Sequence, residues 1–195
     1  MSGRTGSGTV IAGRSTKDAI REAAIQLFSS KGFEQTSLRE VADAVGITKA
    51  SLYYHYASKV DLLIAIIEPM FEDLRALVES LDTRPHSPQS VREVLTVQVD
   101  SMLRNRRTGV LCMRDTVAIV NALGNRYPDL LELHRRMCRW VAGPDADDAT
   151  LLRAASAMEV LSTALMSQEI VPNAPEREIQ DVLLTAALGV LNVAR

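Results

Sequence analysis

A chain of 195 residues with 22 Lys/Arg against 24 Asp/Glu carries a net charge of −2, and it is 47% apolar but only 4% aromatic. That balance argues against a uniformly basic nucleic-acid binder, and no run of about 18 apolar residues offers a membrane span. The length suits one small head plus one larger body, with a core of Leu, Val, Ala, Ile and Met.

The charge is unevenly placed. Residues 1–60 hold eight Lys/Arg and five Asp/Glu, whereas residues 61–195 hold fourteen and nineteen, so a positive head precedes a negative body. Cys112 and Cys138 have no His or Cys at ligand spacing, so packing rather than metal or redox chemistry is expected, with no cofactor. Together with the missing span, this reads as a cytoplasmic protein.

Residues 1–15 are Gly/Ser-rich, contain Arg4 and Arg14 and no acid, and lack the apolar stretch of a secretory signal. A flexible basic arm is expected; insertion into a DNA minor groove is the sharper alternative. A first helix starts near Thr16, with Ile20, Ala23, Ala24, Leu27 and Phe28 inward, and Gly32 ends it. Leu38, Val41, Ala42 and Val45 then form one apolar helical face, opened by a Ser37–Glu40 capping box. Gly46 supplies the turn, Ile47 plugs the space behind it, and Thr48 caps a second short helix, Lys49–Tyr56, with Leu52 and Tyr56 inward. Helix, glycine turn and helix make a helix-turn-helix, whose second helix enters the DNA major groove. Two packed core helices are the plainer alternative. Against it, no carboxylate lies between Gly46 and Val60, while hydroxyls, phenols and cations crowd there, a composition suited to a polyanion.

The stretch ending at Leu63 resembles the DNA-binding domain of the TetR/AcrR family of transcriptional regulators. The resemblance rests on Phe28, Lys31-Gly32-Phe33, Thr36-Ser37, Val45-Gly46, Leu52-Tyr53, His55-Tyr56, Ser58-Lys59 and Leu62-Leu63, and covers about a quarter of the chain. It implies an all-α fold: a three-helix DNA-binding head over residues 16–60 and a helical ligand-binding and dimerisation body over 61–195. The DNA-facing set it implies is Ser37, Thr48, Lys49, Ala50, Ser51, Tyr53, Tyr54, His55 and Lys59. Within it Tyr54, His55 and Lys59 go to the backbone and Thr48–Ser51 lie near bases. It also implies a homodimer formed by the last two helices, on double-stranded DNA, and a repressor released by a small-molecule effector.

After Ser58, a second helix cap, a long helix runs to about Leu81, and Pro69 inside it predicts a kink between Ala65 and Pro69. A linker near 82–88 leads to a helix over Pro88–Asn105. Thr108-Gly109 is expected to break the chain, and a helix over Leu111–Leu123 to end at Gly124-Asn125. Another starts at Pro128, carrying Leu133, Met137, Cys138 and Val141 inward. Arg135, Arg136 and Arg139 on it read as a solvated face, or as a site for an acidic ligand or partner. The segment Asp145–Gln168 has an apolar arc wider than one core needs, and the last helix, from Ile179, is apolar almost all round. A second copy of the chain is the economical cover. The expected dimer face is Leu151, Ala155, Met158, Leu161, Leu165, Leu183, Ala186, Ala187 and Val190.

Met70, Met102, Met113, Met137, Trp140 and Met158 are the candidate lining of an adaptable apolar effector pocket, with ordinary core methionines as the alternative. His55, His86 and His134 fall in no catalytic pattern, so an enzyme is not expected. A dimeric helical interaction protein without DNA binding is the other reading.

Overall fold

A computed structural model describes residues 15–123, 126–127 and 129–192. The expectations for the arm before Ser15, for Gly124-Asn125 and for Pro128 fall outside these residues. Within them the secondary structure is helical throughout: α1 (Thr16–Lys31), α2 (Leu38–Val45), α3 (Lys49–His55), α4 (Lys59–Ser80), α5 (Pro88–Arg104), α6 (Arg106–Arg114), α7 (Thr116–Leu123), α8 (Leu130–Ala142), α9 (Asp148–Ser162), α10 (Ser167–Ile170) and α11 (Glu176–Asn192). No helix among the described residues is long and apolar enough to cross a membrane.

Local chemistry sets most of these boundaries. Ser15, Ser37, Thr48, Ser58, Ser87 and Asp147 each accept a backbone N–H at the start of a helix, and at Ser37 the reciprocal Glu40 bond completes the capping box. Gly46 closes α2 in the left-handed region, at φ 76°, where a side chain would be strained. Proline at position 69 does not end α4: the helix is continuous from Lys59 to Ser80, about 33 Å at 1.5 Å per residue.

Two apolar clusters meet along α4. The head cluster joins Ile20, Phe28, Val41, Leu52 and Tyr56 to Leu62, Ile67 and Phe71 of α4, and also takes in Leu111 of α6 and Ile119 of α7. The body cluster joins Val78 and Leu81 to Leu95, Val99, Met137, Val141, Ala157, Leu161 and Ala187. Asp73 ties α4 to α5 by accepting from Ser101 Oγ at 2.7 Å, Arg104 at 3.2 Å and Asn105 Nδ2 at 3.3 Å. Burial alone would raise its carboxyl pKa, but these donors outweigh burial and lower it.

The structure differs from the sequence reading in three places. Thr108 and Gly109 do not break the chain; both are buried inside α6, where a Cβ on Gly109 would stand 2.9 Å from Cβ of Leu165. The breaks fall instead at Asn105, between α5 and α6, and at Asp115, whose carboxylate accepts from the head. The long penultimate helix ends at Ser162, and the chain continues as a tight turn, Thr163–Met166, and the short α10.

The third difference concerns where the expected surface residues lie in the single chain. Met158, Leu161 and Ala187 of the expected dimer face are buried in the body's own core, and Leu165 seats against Gly109. An α-helix with apolar residues on two sides does not declare which side its own chain takes. The six pocket candidates do not converge either. Met70 packs on the head cluster, Met137 and Met158 lie inside the body core with Met102 against it, and Met113 is exposed on α6. Trp140 borders a cleft between α4, α8 and α9. Both thiols have raised pKa values through burial, Cys112 to about 11, so the reactive thiolate is disfavoured.

Candidate nucleic-acid interface

The outer face of α3 is built from about two turns of helix. Thr48 accepts from Ser51 N at 3.1 Å and so spends its oxygen on the cap while its O–H remains free to donate. Lys49 and Ala50 are exposed, Tyr54 is 86% exposed and Tyr53 44%, whereas Leu52 on the opposite side is fully buried. Lys49 Nζ stands 5.5 Å from the Tyr53 ring centroid, and His55 meets Tyr54 edge-on at 5.4 Å. The helix thus presents a cation, hydroxyls and two phenols outward on a rigid apolar base.

Beside α3 lies a trough of about 490 Å³ lined by Gln35, Ser37, Arg39, Lys49, Tyr53 and Lys59, among others. The α1–α2 loop forms one side of it, and three bonds tie that loop to Lys59 and Asp115. Lys59 Nζ donates to Phe33 O at 2.9 Å and Glu34 O at 3.1 Å, with its charge 4.5 Å from the Phe33 ring centroid. Phe33 N donates to Asp115 Oδ2 at 2.6 Å, eighty-two residues away. Lys59 therefore has one N–H left for an outside acceptor, and its first role is to hold the loop. The Ser37 hydroxyl is likewise committed to Glu40, whose carboxyl is drawn down to about 2 by Lys31 and by the Ser37 N–H and hydroxyl.

Two residues escaped the sequence reading. Arg39 lines the trough, but its i,i+4 partner Asp43, at 3.8 Å, gives it the look of a solvated pair. Asp115 carried no signal at all, because nothing periodic links it to Phe33. Inside the head, the Tyr56 hydroxyl is buried without a partner among the described residues, and burial raises the phenol's pKa.

Fold and surface define a two-part all-α protein with a helix-turn-helix head. Residues 20–66 match the profile described as "Bacterial regulatory proteins, tetR family". The HTH-type transcriptional regulator AcrR of Shigella flexneri is 34% identical over 98 residues, which are 49% of this chain and 46% of AcrR. The biofilm operon icaADBC HTH-type negative transcriptional regulator IcaR of Staphylococcus aureus (strain Newman) is 42% identical over 62 residues, 32% of this chain and 33% of IcaR. The chain thus spans less than half the length of these two relatives. Over 94% of this chain and 89% of that one, the fold superposes on AmtR of Mycobacterium smegmatis with a TM-score of 0.73 at 23% identity. Residues 20–66 are thus a tetR-family DNA-binding region, and the chain resembles the TetR/AcrR regulators in sequence at its head and in fold along its length.

Proposed function

We propose that the protein represses transcription as a homodimer whose two α3 helices occupy successive major grooves of a palindromic operator, and that a small molecule releases it. The observation that carries the reading is the α3 face with its adjoining trough: Lys49, Tyr53, Tyr54 and the spare Lys59 donor outward, and no carboxylate from Gly46 to Val60. Phosphate contacts from Arg39, Lys49 and Lys59 position the head, and Thr48, Ala50 and Ser51 lie where base edges are read.

The dimer is argued from what α9 and α11 leave uncovered. Leu152 and Val182 are exposed, and a Cβ on Gly189 would meet nothing within 4 Å. With the exposed Ala186 and the half-buried Ala155, Leu183 and Val190, they form a low, apolar outer face on which a second copy packs closely. Repression is the role IcaR's name states, and it is the direction proposed here.

Fluorescence anisotropy on DNA flanking the chain's own gene, with sedimentation of the free protein, tests the reading. Specific binding by a dimer is expected, and Lys49→Ala should lower the slope of log K against log salt by about 1 per head. A monomer at micromolar concentration, or binding indifferent to Lys49→Ala and Tyr54→Ala, overturns it.

A further inference from the structure

A cleft of about 540 Å³ opens at the end of α4 that lies furthest from the head, within the usual range for small-molecule sites. Its wall is apolar: Val78 and Leu81 from the end of α4, Leu151 from α9 and the Trp140 ring from α8. Its rim is cationic. Arg136 and Arg139, one turn apart on α8, both line it, and His86 stands edge-on to Trp140 at 5.4 Å between centroids.

Each of these guanidiniums pairs with one carboxylate. Asp82 also lines the cleft and accepts from Arg136 at 2.8 Å. The cleft surface itself carries two guanidiniums against one carboxylate, and the second carboxylate, Glu132, reaches Arg139 from outside the lining. An apolar wall beneath a pair of guanidiniums selects a molecule that is apolar along its length and anionic at one end, because guanidiniums match carboxylates in shape as well as charge.

We propose that this cleft binds an amphipathic organic carboxylate, whose head displaces Glu132 from Arg139 and whose chain lies on Leu81, Leu151 and Trp140. The proposal names the site and chemical class of the effector, and its consequence for DNA rests on the regulator reading above. The core itself, where Met137 and Met158 are buried, offers those side chains no contact with such a ligand.

Trp140 is the only tryptophan, so its emission reports this cleft alone. The full chain, without DNA, is titrated with decanoate and separately with decanol. A saturable change is expected with decanoate at a Kd below about 1 mM, at least about tenfold tighter than with decanol. In the Arg136→Gln/Arg139→Gln variant that preference is lost. The absence of a saturable change, or equal affinity for acid and alcohol, overturns the proposal on the unaltered protein; undiminished decanoate affinity in the variant overturns it too. The same titration with operator present separates the two claims. Decanoate that binds but leaves DNA affinity unchanged upholds the site and removes its role as the effector site, whereas loss of DNA binding with an unresponsive Trp140 moves the effector elsewhere.

Discussion

Removing the Asp115 carboxylate tests how far the DNA-facing loop depends on the body. In Asp115→Ala the Phe33 N–H, on a residue only 2% exposed, loses its acceptor at 2.6 Å. A buried donor left unpaired costs about 1–3 kcal/mol. Taking about 2 kcal/mol, a chain of this length should melt roughly 4–8 °C lower. The loop that Phe33 begins forms one side of the trough beside Lys49, and Lys59 holds the same loop through Phe33 O. If the loop must be re-ordered on DNA, the same 2 kcal/mol appears as up to about thirty-fold weaker operator binding. Asp115→Asn keeps an acceptor oxygen and should recover most of both losses. Melting by circular dichroism and anisotropy on operator DNA measure the pair. Wild-type values for both in Asp115→Ala would refute the reasoning. A lower melting temperature with unchanged affinity would confine Asp115 to stability.

Gly109→Ala should gain about 1 kcal/mol of helix propensity but lose about 1–3 kcal/mol against Leu165, whose Cβ and Cγ would stand 2.9 Å from the new methyl. A net destabilisation is expected, and in a Leu165→Ala background, which removes Cγ but keeps the Cβ at 2.9 Å, the loss should shrink, a coupling that denaturant melts of the four proteins read directly. Tyr56→Phe removes a buried hydroxyl without a partner and should raise stability by up to about 1 kcal/mol; a loss of that size in urea melts would mean the hydroxyl is satisfied. Glu40 has a folded pKa of about 2, below its ordinary 4.5, so its contribution is complete above 4.5 and lost as the pH falls toward 2. Glu40→Gln should therefore flatten that part of the acid unfolding curve, and a curve parallel to wild type would place the acid sensitivity elsewhere.

What could be read from the sequence was local. The Ser37–Glu40 box, the left-handed Gly46, the Thr48 cap and the inward Leu52 are each decided within a few residues, and the structure has all of them. The failures share a cause of another kind. Met70 and Met137 look alike in the sequence yet belong to different cores. Ala186 and Ala187 are neighbours on one apolar helix, but Ala187 is sealed inside its own chain while Ala186 faces out. Gly109 resembles a helix breaker until Leu165, fifty-six positions later, arrives to need the space. Each depends on which distant element comes alongside, and helical periodicity is silent about that.

The same reasoning bears on where the head ends. A boundary at residue 60 follows the motif, but the apolar contacts do not stop there. Leu62, Leu63, Ile66, Ile67 and Phe71 of α4 complete the head's core, and Leu111 and Ile119 reach it from α6 and α7. Fully burying a Leu or Ile side chain is worth about 1.5–3 kcal/mol, so these two late residues together contribute about 3–6 kcal/mol, a large share of the roughly 5–15 kcal/mol by which a domain is stable. Arg107 pairs with Glu22, and Arg114 donates to Ser29 O on the same side of α1 as Asp115 reaches Phe33. The head is thus closed by an element of the body, and that element is itself seated at Gly109 against the turn joining α9 to α10. At Gly109 α6 meets the Leu165 side chain, and through Arg107 and Arg114 it holds α1, so the turn after α9 and the first helix of the head rest on one short element.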